Sequence, residues 1–89
     1  MSRFSALFQR LRAEGRAALM PFFEVGDPDP QTLERLIPAV VEAGADALEL
    51  GVPFSDPIAD GPTMQRAAYR ALTRGVRLQD VLDLVRSVR

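Results

Sequence analysis

The sequence predicts an α/β protein built on parallel βα units, and three observations carry that prediction. Two short, nearly continuous apolar runs, 17–23 and 47–50, have the length and composition of strands covered on both faces. Each run leads through a loop marked by glycine and proline into a stretch with apolar residues at helical spacing. The resulting order, α-β-α-β-α-α, is that of strands joined by crossover helices, which pair in parallel.

The opening helix is signalled by Phe4, Leu7, Phe8 and Leu11 at i, i+3, i+4 and i+7. Ser2 is placed to cap it and Gly15 to stop it. The apolar run 17–23 follows. It is too short for a typical helix, Pro21 would break one, and the same proline puts an end or a bulge of the strand at its own position. Gly26-Asp27-Pro28-Asp29-Pro30 is turn chemistry, with Asp29 and Pro30 forming an N-cap and first-turn pair. Leu33, Leu36, Ile37, Val40 and Val41 make the stripe of the second helix, which Gly44 ends. Pro38 lies inside that helix and is expected to kink it or to cost about 3 kcal/mol. The second strand occupies 47–50. Asp60-Gly61-Pro62 opens the third helix, whose apolar face is Met64, Ala67, Ala68, Ala71 and Leu72 and which stops at Gly75. The last helix carries Leu78, Val81, Leu82, Val85 and Val88. Two βα units leave a sheet with open edges and a small core; at this size only ~60–65% of the unfolded surface can be buried. Residues 1–89 are therefore expected to be the first part of a single larger domain.

The chain has 89 residues, 47% hydrophobic and 26% charged, with net charge −1. That profile excludes a disordered chain, and the balance of charge offers no basis for binding nucleic acid or anionic lipid. All the basic residues are arginine, scattered as on solvated helix faces. With no cysteine and no histidine, a thiol nucleophile, a disulfide scaffold, a Cys/His zinc site and a Ser-His-Asp triad are all excluded within these residues. Acid-base work is left to Asp, Glu, Tyr69 and Arg. The start lacks a signal peptide's apolar core, and no run approaches the ~20 apolar residues of a membrane span. The expected location is the cytoplasm.

Glu49 is the residue hardest to explain structurally, because it sits inside an apolar strand. Alternation puts Leu48 and Leu50 on one face and Ala47, Glu49 and Gly51 on the other, where small neighbours leave room for a ligand. An apolar surround would raise its pKa above ~4.3 and suit it to proton transfer. The residue alone is equally consistent with a buried Glu paired to an Arg from outside these residues. Asp60 is either a second catalytic acid or simply an acid favouring a helix dipole. Asp56, between Ser55 and Pro57, reads first as a turn former. Pro53, Pro57 and Pro62 stiffen the loop, as suits a docking surface or a positioned acid. In the first strand Met20, Phe22 and Glu24 share a face, making Phe22 either an aromatic wall for a flat ligand or an ordinary core residue. Neither the dinucleotide fingerprint nor the P-loop pattern is present.

The stretch LELGVPFSDPIADGPTMQRA (48–67) resembles the signature of the tryptophan synthase alpha-chain family. PFFEVGDP (21–28), VEAGADALELG (41–51) and FSALFQRL (4–11) extend the likeness over essentially all 89 residues. The resemblance implies a TIM (β/α)8 barrel, here only its N-terminal part: an extra N-terminal helix plus the first two βα units. It implies a lyase of tryptophan biosynthesis that splits indole-3-glycerol phosphate into indole and glyceraldehyde 3-phosphate by a retro-aldol reaction. Glu49 then matches the general acid/base, Asp60 the acid that binds the indole nitrogen, and Phe22 a wall of the indole pocket. The loop 53–60, with Pro53, Phe54, Asp56 and Pro57, matches the surface that meets the beta chain, in an assembly of two alpha and two beta chains. No metal or organic cofactor is implied; the family's pyridoxal phosphate belongs to the beta chain. Glu24 departs from the family, which usually has Thr or a similar residue there, and a second carboxylate beside Glu49 is expected to raise at least one pKa of the pair. A barrel of this kind needs ~250 residues, with phosphate-binding loops after its later strands. The 89 residues alone are therefore expected to be inactive. A non-catalytic module docking through loop 53–60 is the alternative; the joint presence of Glu49, Asp60 and that loop argues against an unrelated barrel enzyme.

Overall fold

The computed structural model of the chain describes residues 2–54 and 60–89. The elements follow the predicted order: α1 (Arg3–Glu14), β1 (Phe22–Glu24), α2 (Pro30–Glu42), β2 (Glu49–Gly51), α3 (Pro62–Thr73) and α4 (Leu78–Val88). The local signals work as expected at two helix starts. Ser2 Oγ accepts from the Ser5 N–H at 3.1 Å, and the Asp29 carboxylate accepts from both the Thr32 N–H and the Thr32 hydroxyl, with Pro30 in the first turn. Gly15, in the left-handed region at φ 66°, closes α1.

The two strands pair in parallel, with Phe22 beside Glu49, Phe23 beside Leu50 and Glu24 beside Gly51. This register sorts the side chains. Phe23 and Leu50, with Leu48, pack against a core of Val25, Leu33, Ile37, Val76, Val81 and Leu84, contributed chiefly by α2 and α4. Phe22, Glu24, Glu49 and Gly51 share the opposite face. The ladder is shorter than the apolar runs. The Leu19 and Pro21 carbonyls already accept from Asp46 and Glu49, but Pro21 has no N–H to return, so regular pairing begins at Phe22. The second strand correspondingly runs Glu49–Gly51 and not 47–50.

α2 runs through its proline, and the apolar face expected on α4 is corrected. Pro38 leaves α2 unbroken from Pro30 to Glu42. It is exposed, as is Glu34, whose carbonyl loses its helical donor, so that carbonyl can turn to water. On α4 the buried stripe is Val81 and Leu84, with Val85 and Val88 half-buried. Leu78 and Leu82, placed on the apolar face from spacing, are 58% and 49% exposed. Packing against α2 selects one of two overlapping apolar stripes that the sequence offers.

Two long-range clamps fix the strands. Asp46, just before β2, accepts from Arg16 Nη1 and Nη2, each at 3.1 Å, and from the Leu19 N–H at 2.8 Å. Those hydrogen bonds hold its pKa below the usual carboxylate range. Asp27, just after β1, accepts from Arg70 Nε at 2.8 Å and Nη2 at 2.7 Å, a bidentate fork from α3. Arg74 donates to the Gly26 carbonyl in the same turn. α3 can come this close because Gly26 has no side chain: a Cβ there would stand 2.7 Å from both Ala71 Cβ and Val76 Cγ2. Among the described residues no helix is long and apolar enough to cross a membrane.

Candidate active site

The candidate residues share the sheet face turned away from α2 and α4, Phe22 and Glu49 opening the two strands and Glu24 and Gly51 closing them. Glu49 and Phe22 are register partners and stand side by side there. Glu49 is exposed, and Phe22 is 40% exposed. The desolvated setting expected for Glu49 is therefore not formed by the described residues. One strand position further on, Glu24 lies beside Gly51. A Cβ on Gly51 would stand 2.5 Å from Glu24 Oε2 and 2.6 Å from Phe22 Cζ. The glycine is thus the floor on which the Phe22 ring and the Glu24 carboxyl meet.

Glu24 is 8% exposed and, taken as a whole residue, is the one buried charged residue among those described. Burial pushes its pKa up, and the charges of Asp60 and Asp27 push it further. The like charge anticipated from Glu49 thus comes from Asp60 and Asp27. Asp27 is itself held low by the Arg70 fork, so the nearby guanidinium is already engaged.

Asp60 opens the approach to α3. The residue capping that helix is Gly61, with no side-chain hydrogen bond. Asp60 uses only its main-chain carbonyl locally, accepting from Gln65 Nε2 at 2.9 Å. The Asp60 carboxylate therefore sits one residue before the cap of α3, where an acid favours the helix dipole. Its charge is among the causes that raise the Glu24 pKa. Of the residues expected to meet a partner chain, Pro53 is half-buried and Phe54 is 62% exposed; Asp56 and Pro57 lie outside the described residues. No group of three or more acidic side chains with metal-binding geometry occurs among the described residues.

What the arrangement can do follows from its parts. Phe22 offers an aromatic surface, Glu49 an accessible carboxylate beside it, and Asp60 a second acid from a separate loop. A flat ligand against Phe22 would have a proton-transfer group along one strand and a charge-stabilising group across the site. Sequence reasoning missed the part played by Gly51. Its signal was a small residue two positions beyond Glu49 on the same strand face, but its partner, Glu24, becomes visible only from the register.

A family model for the tryptophan synthase alpha chain matches residues 8–89. The tryptophan synthase alpha chain of Azoarcus sp. (strain BH72) is 57% identical over 89 residues, covering 100% of this chain and 33% of that one. That of Dechloromonas aromatica is 60% identical over 85 residues, 96% of this chain and 32% of its own. Among solved structures, tryptophan synthase subunit alpha from Legionella pneumophila superposes with a TM-score of 0.96 at 44% identity, covering 100% of this chain and 34% of that one. Tryptophan synthase from M. tuberculosis in its aminoacrylate-bound form gives a TM-score of 0.90 at 44% identity, over 98% and 36%. The chain spans about a third of the length of these relatives.

Proposed function

The chain belongs to the tryptophan synthase alpha-chain family, and from that membership we propose that it supplies the two acids of the family's lyase reaction. Its extra helix and two βα units are the N-terminal part of a TIM barrel. Residues at the C-terminal ends of the strands are where such barrels carry their chemistry. The reaction we assign to the whole enzyme is retro-aldol cleavage of indole-3-glycerol phosphate to indole and glyceraldehyde 3-phosphate.

Protonation of the indole ring at C3 places positive charge on the ring nitrogen. Removal of the proton from the adjacent glycerol hydroxyl sends an electron pair into a new carbonyl. The carbon–carbon bond then breaks and its electrons return to the ring, releasing indole. Glu49 moves the protons. Asp60, as a carboxylate, receives the ring N–H and stabilises its charge, worth the most where water is excluded. Phe22 stacks on the indole. The step balances with these groups alone, so the alpha chain requires no metal or organic cofactor, and pyridoxal phosphate is assigned to the beta chain. Loop 53–60, with Phe54 62% exposed, is assigned to docking that beta chain.

The observation that carries this reading is the Phe22–Glu49 register pair on the open face of the sheet. The test is indole release by a full-length alpha chain carrying residues 1–89. Glu49→Gln and Asp60→Asn are each expected to lower kcat by about 10²–10⁴-fold. A Glu49→Gln variant retaining a tenth or so of the parent rate would overturn the assignment. The 89 residues by themselves are expected to release no indole.

A further inference from the structure

Phe22 is the register partner of Glu49, but the tip of its ring leans over Gly51, two residues further along β2. A Cβ on Gly51 would stand 2.6 Å from Phe22 Cζ and 3.1 Å from Phe22 Cε2. Glu24, the register partner of Gly51, brings its side chain to the same spot, with Oε2 2.5 Å from that Cβ position. The ring tip and the carboxyl are thus neighbours over one bare glycine. They differ in freedom, since Phe22 is 40% exposed and Glu24 only 8%. The ion pairs among the described residues use other acids: Glu14, Asp27, Asp46, Asp80 and Asp83. Arg70 and Arg74 of α3 are committed to Asp27 and the Gly26 carbonyl. Packing over Gly51, and no salt link to an arginine, therefore sets where the Glu24 side chain lies.

An indole is two fused rings and the Phe22 side chain is one, so an indole stacked on Phe22 overhangs it. Where the overhang passes the ring tip, it meets Glu24 over Gly51. A side chain this buried cannot swing aside as the exposed ring can, and filled space takes no extra methyl group without displacement. We infer that Glu24 is a specificity-determining residue: its side chain over Gly51 is the end stop of the aromatic surface that Phe22 offers, and it excludes substrates whose ring carries a substituent at that edge. This rests on the reading of Phe22 as the wall on which the indole stacks. The length of the Glu24 side chain does the excluding, and its charge plays no part. Shortening it leaves no arginine unpaired and opens a recess beside Phe22 Cζ with the Gly51 backbone as its base.

The test uses the full-length alpha chain carrying residues 1–89. Its substrates are indole-3-glycerol phosphate and the analogues methylated singly at each free carbon of the ring system. The quantity read is the preference, kcat/KM for a methylated substrate relative to the unmethylated one. Glu24→Ala is expected to raise the preference for at least one methylated substrate about tenfold or more over the parent. Glu24→Asp, one methylene shorter and still an acid, is expected to move the same preference in the same direction. Glu24→Gln, of the same length and uncharged, is expected to keep the parent's preferences. An Ala variant with the parent's preferences across the whole set would overturn the inference. So would a Gln variant that gains as the Ala variant does, because the exclusion would then belong to the charge. If the Ala variant does not fold, an Asp variant with unchanged preferences overturns it in the same way. Phe22→Ala is measured alongside on the unmethylated substrate. If its KM equals the parent's, the reading of Phe22 fails and the inference falls with it. If its KM rises while the Glu24→Ala and parent preferences coincide, the inference alone is wrong.

Discussion

Replacing Gly51 by alanine adds one methyl group at the point where the Phe22 ring and the Glu24 carboxyl converge. The new Cβ would stand 2.5 Å from Glu24 Oε2, 2.6 Å from Phe22 Cζ and 3.1 Å from Phe22 Cε2. Carbon contacts settle at ~3.5 Å or more, so each neighbour must retreat by roughly 0.9 Å. Both obstacles are ends of side chains, and the two are not equally free to move. The Phe22 ring is 40% exposed and can swing outward, whereas Glu24 is 8% exposed and has little space to yield. The stability cost is therefore that of mild overpacking, about 1 kcal/mol. The functional cost is larger, because a displacement near 1 Å of an aromatic wall and an acid can lower a rate about 10²-fold. In the full-length alpha chain carrying residues 1–89, urea denaturation reads the first quantity and indole release the second. The expected result is a variant that folds with a slightly lower urea midpoint and turns over about 10²-fold more slowly. A folded Gly51→Ala protein with parental kcat and KM would refute the view that Phe22 and Glu24 form one surface of the site.

Gly26→Ala should behave in the reverse way, as a stability mutant. Its φ of 103° is a conformation L side chains rarely adopt, and the clash is with Ala71 Cβ and Cα as well as Val76, so about 3 kcal/mol or more is expected. A urea midpoint equal to the parent's would show that α3 does not pack against this turn as described. Asp27 has its folded pKa depressed by the Arg70 fork, so its contribution is complete above the unfolded value of ~3.9 and lost as pH falls through the folded one. Asp27→Asn is therefore expected to destabilise at neutral pH and to flatten the acid side of the pH–stability curve; an unchanged acid side would assign it to other carboxylates. Glu24 has the opposite sign: with its pKa raised, its contribution is complete below ~4.3 and lost as pH rises through the folded value.

The helix starts were legible because their information is local. Ser2 and Asp29 each cap a backbone N–H three residues away, a distance the sequence itself displays. Alternation correctly paired Glu49 with Gly51 and Phe22 with Glu24, since a strand has only two faces. What the pattern could not supply was the register between strands. Without it Glu24 was set beside Glu49, when its partner is Gly51 and its charged neighbours are Asp60 and Asp27. The clamps were invisible for a similar reason: Arg16 and Asp46 are 30 residues apart, and Arg70 and Asp27 are 43 apart. Scattered arginines read as a solvated surface until packing shows which carboxylate each one meets. On α4 the spacing picked out Leu82 and passed over Leu84, and the position of α2 makes Leu84 the buried one.

The Asp46 clamp lies just before β2, outside the candidate site, yet it bears on that site. A parallel pair of short strands can be matched in two parities, and a shift of one residue exchanges every inward side chain for its outward neighbour. In the other parity Leu50 would point into the cleft and Glu49 would be driven among the aliphatic side chains of α2 and α4. Asp46 sets the parity three residues before Glu49, by gripping the Leu19 N–H and Arg16 while its own N–H binds the Leu19 carbonyl. It acts as a reading frame for the strand: a residue outside the candidate site decides whether Glu49 is an acid in a cleft or an error in a core.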